Sequence, residues 1–461
     1  MKSLHFIGIG GIGMSSLAAA AFDMGFAVSG SDRGADRPEN RHIIQPLKNQ
    51  GITIFPQDGS RFNDQPLPDT IVYSTAIEAD NPDFAAAGNI RRIHRSELLG
   101  KLLEHSGKES IAVTGSCGKS TVCGYLTETL DNLNADPAML SGALSKKFKS
   151  EKFAGNYRSG KGRYLVFEAD ESDKSLLNYG ADYAIILNIG TDHYDKSELA
   201  EMFGAFLKQI RKGAVLTLEV YEAIKDAIPE TLPVMVAADS ADPLAAEYIS
   251  SYEASPAGAA AGFSNGKELA LPKPGRHMAI NALTVKLMLQ MLNFAENDII
   301  DALGSFEGVW RRDDYAGTMF CGAEVFDDYA HNPEKILSCL SGMRERCTGR
   351  LFAVFQPHGY KPFGFMESQL FEYMENFLQA EDRFILLEPF YAGGTSSFSP
   401  SAVEIHAKWQ NSSRYPERFI TLPDRGAIKK FLNENARSGD IVTIMGARDN
   451  SLSDFAVGLC S

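Results

Sequence analysis

Two glycine-rich stretches of this chain have the residue types and spacing to hold phosphate. The first, Gly8-Ile9-Gly10-Gly11-Ile12-Gly13, satisfies G-x-G-x-x-G between an apolar strand, LHFI, and a helical pattern. Glycines so spaced allow a tight turn and let the backbone approach a pyrophosphate that rests on the helix N-terminus. The next strand, FAVSGSD, ends in Asp32. Taken alone, this pattern predicts a diphosphate ligand, of which a nicotinamide or flavin dinucleotide is the common case. The second stretch is VTGSCGKSTV, with Val113 where the usual loop G-x-x-x-x-G-K-[ST] begins in glycine. It keeps Thr114, Gly115, Ser116, Cys117, Gly118, Lys119, Ser120 and Thr121. Lys119 is a point charge for β- and γ-phosphate oxygens, and Ser120 is a hydroxyl for magnesium, so the loop predicts ATP with Mg2+.

Carboxylates follow at the right places. YLVFEADESD ends a buried-type strand in Glu168, where a nucleoside triphosphatase keeps a magnesium-binding acid. The strand after it ends NIGTDHYD, with Asp192 and His193 at the same edge. Ligands of open α/β sheets bind beyond the carboxyl ends of the strands, so the loop, Glu168 and His193 are expected on one rim. A dehydrogenase accounts for the first loop alone and a simple ATPase for the second alone.

The elements that must position these residues alternate strand and helix along 461 residues, as in α/β domains with largely parallel sheets. Three domains are expected: a Rossmann-like domain over 1–106, a phosphate-loop ATPase-like domain over 107–310, and a second Rossmann-like domain over 311–461. The Ala/Gly/Ser-rich stretch 254–266 reads as a surface loop or irregular hairpin. A formal net charge of -14 argues against a nucleic-acid or anionic-membrane binder, because both require a basic face. The six cysteines show no C-x-x-C pair, which fits reduced thiols in a cytoplasmic protein. The apolar N-terminus imitates a signal peptide, but its glycines sit where a strand-turn-helix needs them. No stretch of about 20 apolar residues suggests membrane insertion. A monomer or homodimer is expected.

Ten motifs then occur in order: GIGGIGMS, VYSTAIEADNP, TGSCGKST, EADESD, NIGTDHYD, PGRHMAINAL, GVWRR, DDYAHNP, FQPH and MGARD. In this order they make the chain similar to the Mur ligase family, the ATP-dependent amide-forming enzymes of peptidoglycan synthesis. It most resembles the branch that adds L-alanine to UDP-N-acetylmuramate. The resemblance implies that the first loop holds the pyrophosphate of a UDP-sugar, through Gly8, Gly10, Gly11, Ile12, Gly13 and Asp32, with Ser74, Thr75 and Ala76 beside it. It implies that the short form of the second loop is usual, with Lys119 on the transferred phosphoryl group. Ser120 and Glu168 would hold one magnesium ion, and Glu168 with His193 a second. Asn281 would contact the nucleotide, Asp328 would lie near its ribose, and Arg311 would reach its phosphates. His331 would stand near the reacting carboxyl or amine, with His358, Lys361 and Arg448 in the amino-acid pocket.

Five positions in particular depart from the branch. Cys117 replaces a histidine, Ser120 a threonine and Met278 an asparagine, and FQPHGYKPF stands for FQPHRYTRT, with Gly359 and Pro362 in place of arginines. Ligation of a whole tripeptide to the same sugar, and a catalytically weak paralogue serving as a binding subunit, remain open as alternatives.

Overall fold

The strand-turn-helix at the N-terminus is the centre of a five-stranded parallel sheet, in the order Thr53–Phe55, Ala27–Ser31, Ser3–Ile7, Thr70–Tyr73, Arg91–His94. Leu4, Phe6 and Ile7 are all buried. Parallel strands covered on both faces read as continuous apolar runs, and this one does. The computed structural model describes residues 2–63, 65–172, 174–190, 194–391 and 398–461.

The central sheet has ten strands. Its parallel middle runs Ile210–Thr217, Ala181–Ile186, Glu109–Thr114, Tyr164–Glu168, so the strand feeding the second loop is flanked by those ending at Glu168 and before Asn188. A third sheet of six strands carries Glu324–Asp328, Ile441–Gly446 and Leu351–Gln356 side by side and parallel, with Asp314–Thr318 antiparallel at its edge. This is the expected three-domain α/β architecture. The stretch 254–266 is more regular than a loop: Glu247–Ser255 and Gly258–Phe263 are strands at one edge of the central sheet. Alanine and glycine give little strand signal, yet Ala259, Ala261 and Phe263 alternate into the core.

Two compact units emerge. The first comprises Met1–Ser251, Ala261–Leu269 and Ile280–Trp310, and the second Tyr252–Ala260, Ala270–Ala279 and Arg311–Ser461. The first two sheets therefore share a unit. Asn156 of the central domain donates to the carbonyl of Ile12 (2.7 Å) and to Ser15 Oγ (2.8 Å), and accepts from Ser16 Oγ (2.8 Å) through its own carbonyl. These bonds pin the first turns of helix Ile12–Asp23 to the second domain. Among the described residues, no helix is long and apolar enough to cross a membrane.

Candidate active site

The first loop is shaped by main-chain bonds. Gly8 has φ +75°, and the N–H groups of Gly8 and Ile9 both donate to the carbonyl of Ser31, at 2.8 and 3.0 Å. Asp32 Oδ2 accepts from Gly10 N at 2.8 Å, and Oδ1 from Gly34 N at 2.7 Å. A Cβ on Gly10 would stand 2.8 Å from that same Oδ2. Asp32 thus staples the loop, spending both oxygens on the chain itself. Beneath it, Ser31 donates to the buried Asp83, and His5 contacts Ser29 Oγ (3.0 Å) and Ser31 Oγ (3.3 Å). Burial, helped by Arg61, pushes the His5 imidazole down to about 3, so His5 is neutral at physiological pH. The turn at Ser74, Thr75 and Ala76 follows the neighbouring strand. Ile77 Cδ1 sits 3.1 Å from where a Cβ of Gly8 would be, so the turn flanks the loop.

In the second loop, Gly118 has φ +86° and caps the helix Lys119–Asn132, while Gly115 has φ +133°. A Cβ on Gly115 would stand 3.0 Å from Leu187 Cβ and 3.1 Å from Asn188 N, so the loop lies tight against the next strand's end. Asn188 grips Cys117 from both sides, accepting from its N–H at 2.8 Å and donating to its carbonyl at 3.0 Å. Ser116 Oγ accepts from Gly190 N at 2.8 Å. The main chain at Cys117 is fixed whatever its side chain. Asn281 Oδ1 lies 3.5 Å from the Cβ position of Gly118, and Thr121 is half-buried in the first helical turn. Lys119 Nζ donates to the Gly115 carbonyl at 2.8 Å and pairs with Glu171 at 2.8 Å. Burial works against the ammonium, but Glu171, Asp170 and Glu168 overcome it and raise its pKa, so Lys119 is charged.

Ser120 Oγ donates to Glu168 Oε1 at 3.1 Å, and Gly142 N to Oε2 at 2.9 Å. A hydroxyl and a carboxylate beside a phosphate loop are the hard donors that magnesium takes, keeping waters and phosphate oxygens for its other positions. The fit needs no closed cage, and among the described residues no cluster of three His, Cys, Asp or Glu forms one. Asp192 and His193 lie outside the described residues. A cavity of about 80 Å³, lined among others by Gly13, Ser16, Arg95, Gly142, Glu168 and Asp170, connects the end of the first loop with Glu168.

In the second unit the expected residues gather at the carboxyl edge of three adjacent strands. Asp328 accepts from Asp313 N (2.7 Å) and Ala330 N (2.8 Å). The His331 and His358 rings meet edge to face at 5.2 Å. Lys361 is exposed in the first turn of helix Tyr360–Phe377, and Arg448 is exposed with φ +66°.

Arg311 does not fit its expected role. It is 0% exposed: Nε is bound to Asp327 (3.1 Å), Nη2 donates to the Gly446 carbonyl (2.7 Å) and Nη1 to that of Asp449 (3.2 Å). An arginine so enclosed pins its own domain and presents no atom to a nucleotide. Of the adjacent pair, Arg312 is the half-buried one, its guanidinium 5.1 Å from the Tyr329 ring centre. Its neighbours Arg311 and Asp313 both take positive φ (55° and 47°), and Lys273 Nζ donates to the carbonyls of Arg312 (2.8 Å) and Asp313 (2.6 Å).

Family profiles match along the chain: the Mur ligase family catalytic domain at residues 3–106, the Mur ligase middle domain at 113–289, and the Mur ligase glutamate ligase domain at 311–448. The UDP-N-acetylmuramate–L-alanine ligase of Rhizobium meliloti (strain 1021) is 31% identical over 481 aligned positions, covering 99% of this chain and 96% of that protein. That of Agrobacterium fabrum is 32% identical with the same coverage. The chain belongs to the Mur ligase family. The solved structure of UDP-N-acetylmuramate–alanine ligase from Thermotoga maritima shares the fold of this Mur ligase, with TM-score 0.79 and 24% identity over 99% of this chain and 98% of that one. A murein peptide ligase from Psychrobacter arcticus also shares the fold (TM-score 0.70, 21% identity, covering 100% and 98%).

Four residues of this Mur ligase's site are not among those the motifs single out: Asn188, Asp170, Glu171 and Arg95. The acids have a signal, since EADESD offers more carboxylates than one metal needs. Asn188 opens the motif NIGTDHYD, while Arg95 stands in none of the motifs, because what it touches is distant in sequence.

Proposed function

We propose that this Mur ligase joins L-alanine to the lactyl carboxylate of UDP-N-acetylmuramate, at the expense of ATP, as a step in making peptidoglycan precursors. The observation that carries the reading is the cavity between the diphosphate loop and Glu168, which gives a sugar-borne carboxylate a route toward a γ-phosphate. Full-length similarity to L-alanine ligases at about 30% identity supports it.

A carboxylate is a poor acyl donor, so the γ-phosphoryl group is transferred to it first, releasing ADP and giving an acyl phosphate; the amine of L-alanine attacks this, inorganic phosphate leaves, the amine gives up a proton and an amide remains. Two anions must meet in line, and Lys119 offsets their repulsion where charge develops. To do so it exchanges Glu171 for phosphate oxygens. One magnesium ion held at Ser120 and Glu168, and a second at Glu168 and His193, would neutralise phosphate charge. Asn281 holds the nucleotide side, and the role expected of Arg311 passes to Arg312. Asp328 serves the ribose, and His331, His358, Lys361 and Arg448 receive the amino acid. Ser74, Thr75 and Ala76 line the sugar. The proposed domain limits are 1–106, 107–310 and 311–461, and the proposed state is a monomer or homodimer in the cytoplasm.

Phosphate release from ATP with UDP-N-acetylmuramate tests this, offering amino acids and the L-Ala-D-Glu-diaminopimelate tripeptide one at a time. L-Alanine is expected to give the fastest release; turnover without it sinks the substrate assignment. Use of the tripeptide is the second reading, favoured by Gly359, which removes a side chain where the branch has arginine. Its φ of +155° also means that an arginine there would be strained.

A further inference from the structure

Arg95 opens the helix Arg95–Ser106 and lies between the two loops. Its Nη2 donates to Asp170 Oδ2 at 2.8 Å, and its Nη1 is 3.3 Å from where a Cβ on Gly13 would stand. Gly13 is the last glycine of the diphosphate motif, and any side chain there would press on the guanidinium. Both Arg95 and Asp170 line the cavity that ends at Gly142 and Glu168. Their side chains are 25% and 33% exposed, so the pair is reachable yet largely screened from bulk water.

The chemistry of that cavity calls for a second cation. Lys119 is engaged within the second loop, by Glu171 and the Gly115 carbonyl. A carboxylate entering from the sugar side would meet Glu168 and Asp170 before any phosphate. Arg95 already binds one carboxylate there, that of Asp170.

We propose that Arg95 is the substrate-specificity residue for the sugar's acid group, exchanging Asp170 for the lactyl carboxylate and holding it between the diphosphate loop and the γ-phosphate. An arginine offers a planar fork of donors that matches a carboxylate, which a lysine does not. This inference rests on the proposed sugar substrate. The alternative ligand for the same cation, the diphosphate, is separated by the experiment.

Titration calorimetry of the full chain compares UDP-N-acetylmuramate with UDP-N-acetylglucosamine, the same nucleotide sugar without the lactyl acid. In the unaltered protein the acid-bearing sugar is expected to bind more tightly. Arg95→Met should weaken it at least tenfold while leaving UDP-N-acetylglucosamine within twofold, and Arg95→Lys should recover only part. Asp170→Asn, which removes the resident carboxylate, should shift the ratio the other way. Equal losses for both sugars would make Arg95 a diphosphate or structural residue and overturn the proposal, as would no loss for either. If the unaltered protein fails to bind UDP-N-acetylmuramate, the underlying substrate reading falls first. Thermal melting of each variant identifies loss of fold, and the Asp170→Asn shift then stands as the independent test.

Discussion

The loop at residues 8–13 is fixed by an acid, Asp32, bound to main-chain N–H groups, and stands on a buried network around a neutral His5. The loop at 115–120 is fixed by a neutral amide, Asn188, and carries a charged lysine already paired with a carboxylate. On the proposed roles, the difference matches what each phosphate undergoes. A diphosphate that is only held needs oriented N–H groups and room, and a nearby acid is tolerable when its oxygens are occupied. A γ-phosphate that is transferred needs a cation where charge develops, kept in place beforehand by a carboxylate that can let it go.

The largest expected effect breaks this contrast at its charged end. Lys119→Ala should lower turnover about 100-fold or more, the usual consequence of losing a group that stabilises transition-state charge. UDP-sugar affinity should hold, since Lys119 touches nothing of the first loop. A folded Lys119→Ala protein with normal phosphate release would remove the distinction between the loops.

The next effect tests the uncharged end. Gly30 has no side chain because Ile9 of the loop lies over it: a Cβ would be 2.5 Å from Ile9 Cδ1 and 2.9 Å from the Phe6 carbonyl. Overpacking of this kind costs about 1–3 kcal/mol, so Gly30→Ala should weaken UDP-sugar binding roughly tenfold or more. ATP affinity measured on the same sample should be unaltered. If the ATP site suffers equally, the two loops are not independently supported.

Most of this contrast was legible in sequence, and the exceptions have physical causes. Glycine spacing reports local backbone demands, so both loops and their strands stand where the motifs require. Side-chain direction is another matter. Arg311 and Arg312 are adjacent and chemically identical, and only the surrounding Asp327, Gly446 and Asp449 decide which faces inward. Asp32 reads as a ligand contact until its two bonds to Gly10 and Gly34 are seen. Arg95 meets Asp170 across 75 positions of sequence, a distance over which no local pattern speaks.

A third test returns to magnesium. Glu168 is held by Ser120 and Gly142, and its exchange for glutamine keeps the shape while removing the charge. Glu168→Gln should raise the magnesium concentration for half-maximal rate by about tenfold, in line with losing one hard anionic ligand of two or three. The sugar affinity measured without metal should stay within twofold. An unchanged magnesium titration would assign Glu168 to bracing the Ser120 and Gly142 turns.

The smallest expected effect is the most discriminating, because it separates the amide's shape from its charge. Asn188 makes two bonds to Cys117, each worth about 0.5–1.5 kcal/mol net. The loop keeps its Ser116–Gly190 bond and its packing on Leu187 when the amide is lost. Asn188→Ala should therefore raise the KM for ATP only about fivefold, near 1 kcal/mol. Asn188→Asp retains an acceptor for the Cys117 N–H, loses the donor to its carbonyl, and sets a negative charge beside the triphosphate. If the loop must stay neutral everywhere but at Lys119, the aspartate variant will bind ATP more weakly than the alanine variant, although it keeps more of the native contacts. The reverse order, with aspartate close to the unaltered protein, would mean that Asn188 acts through geometry alone. The acid that shapes the first loop could then have served in the second.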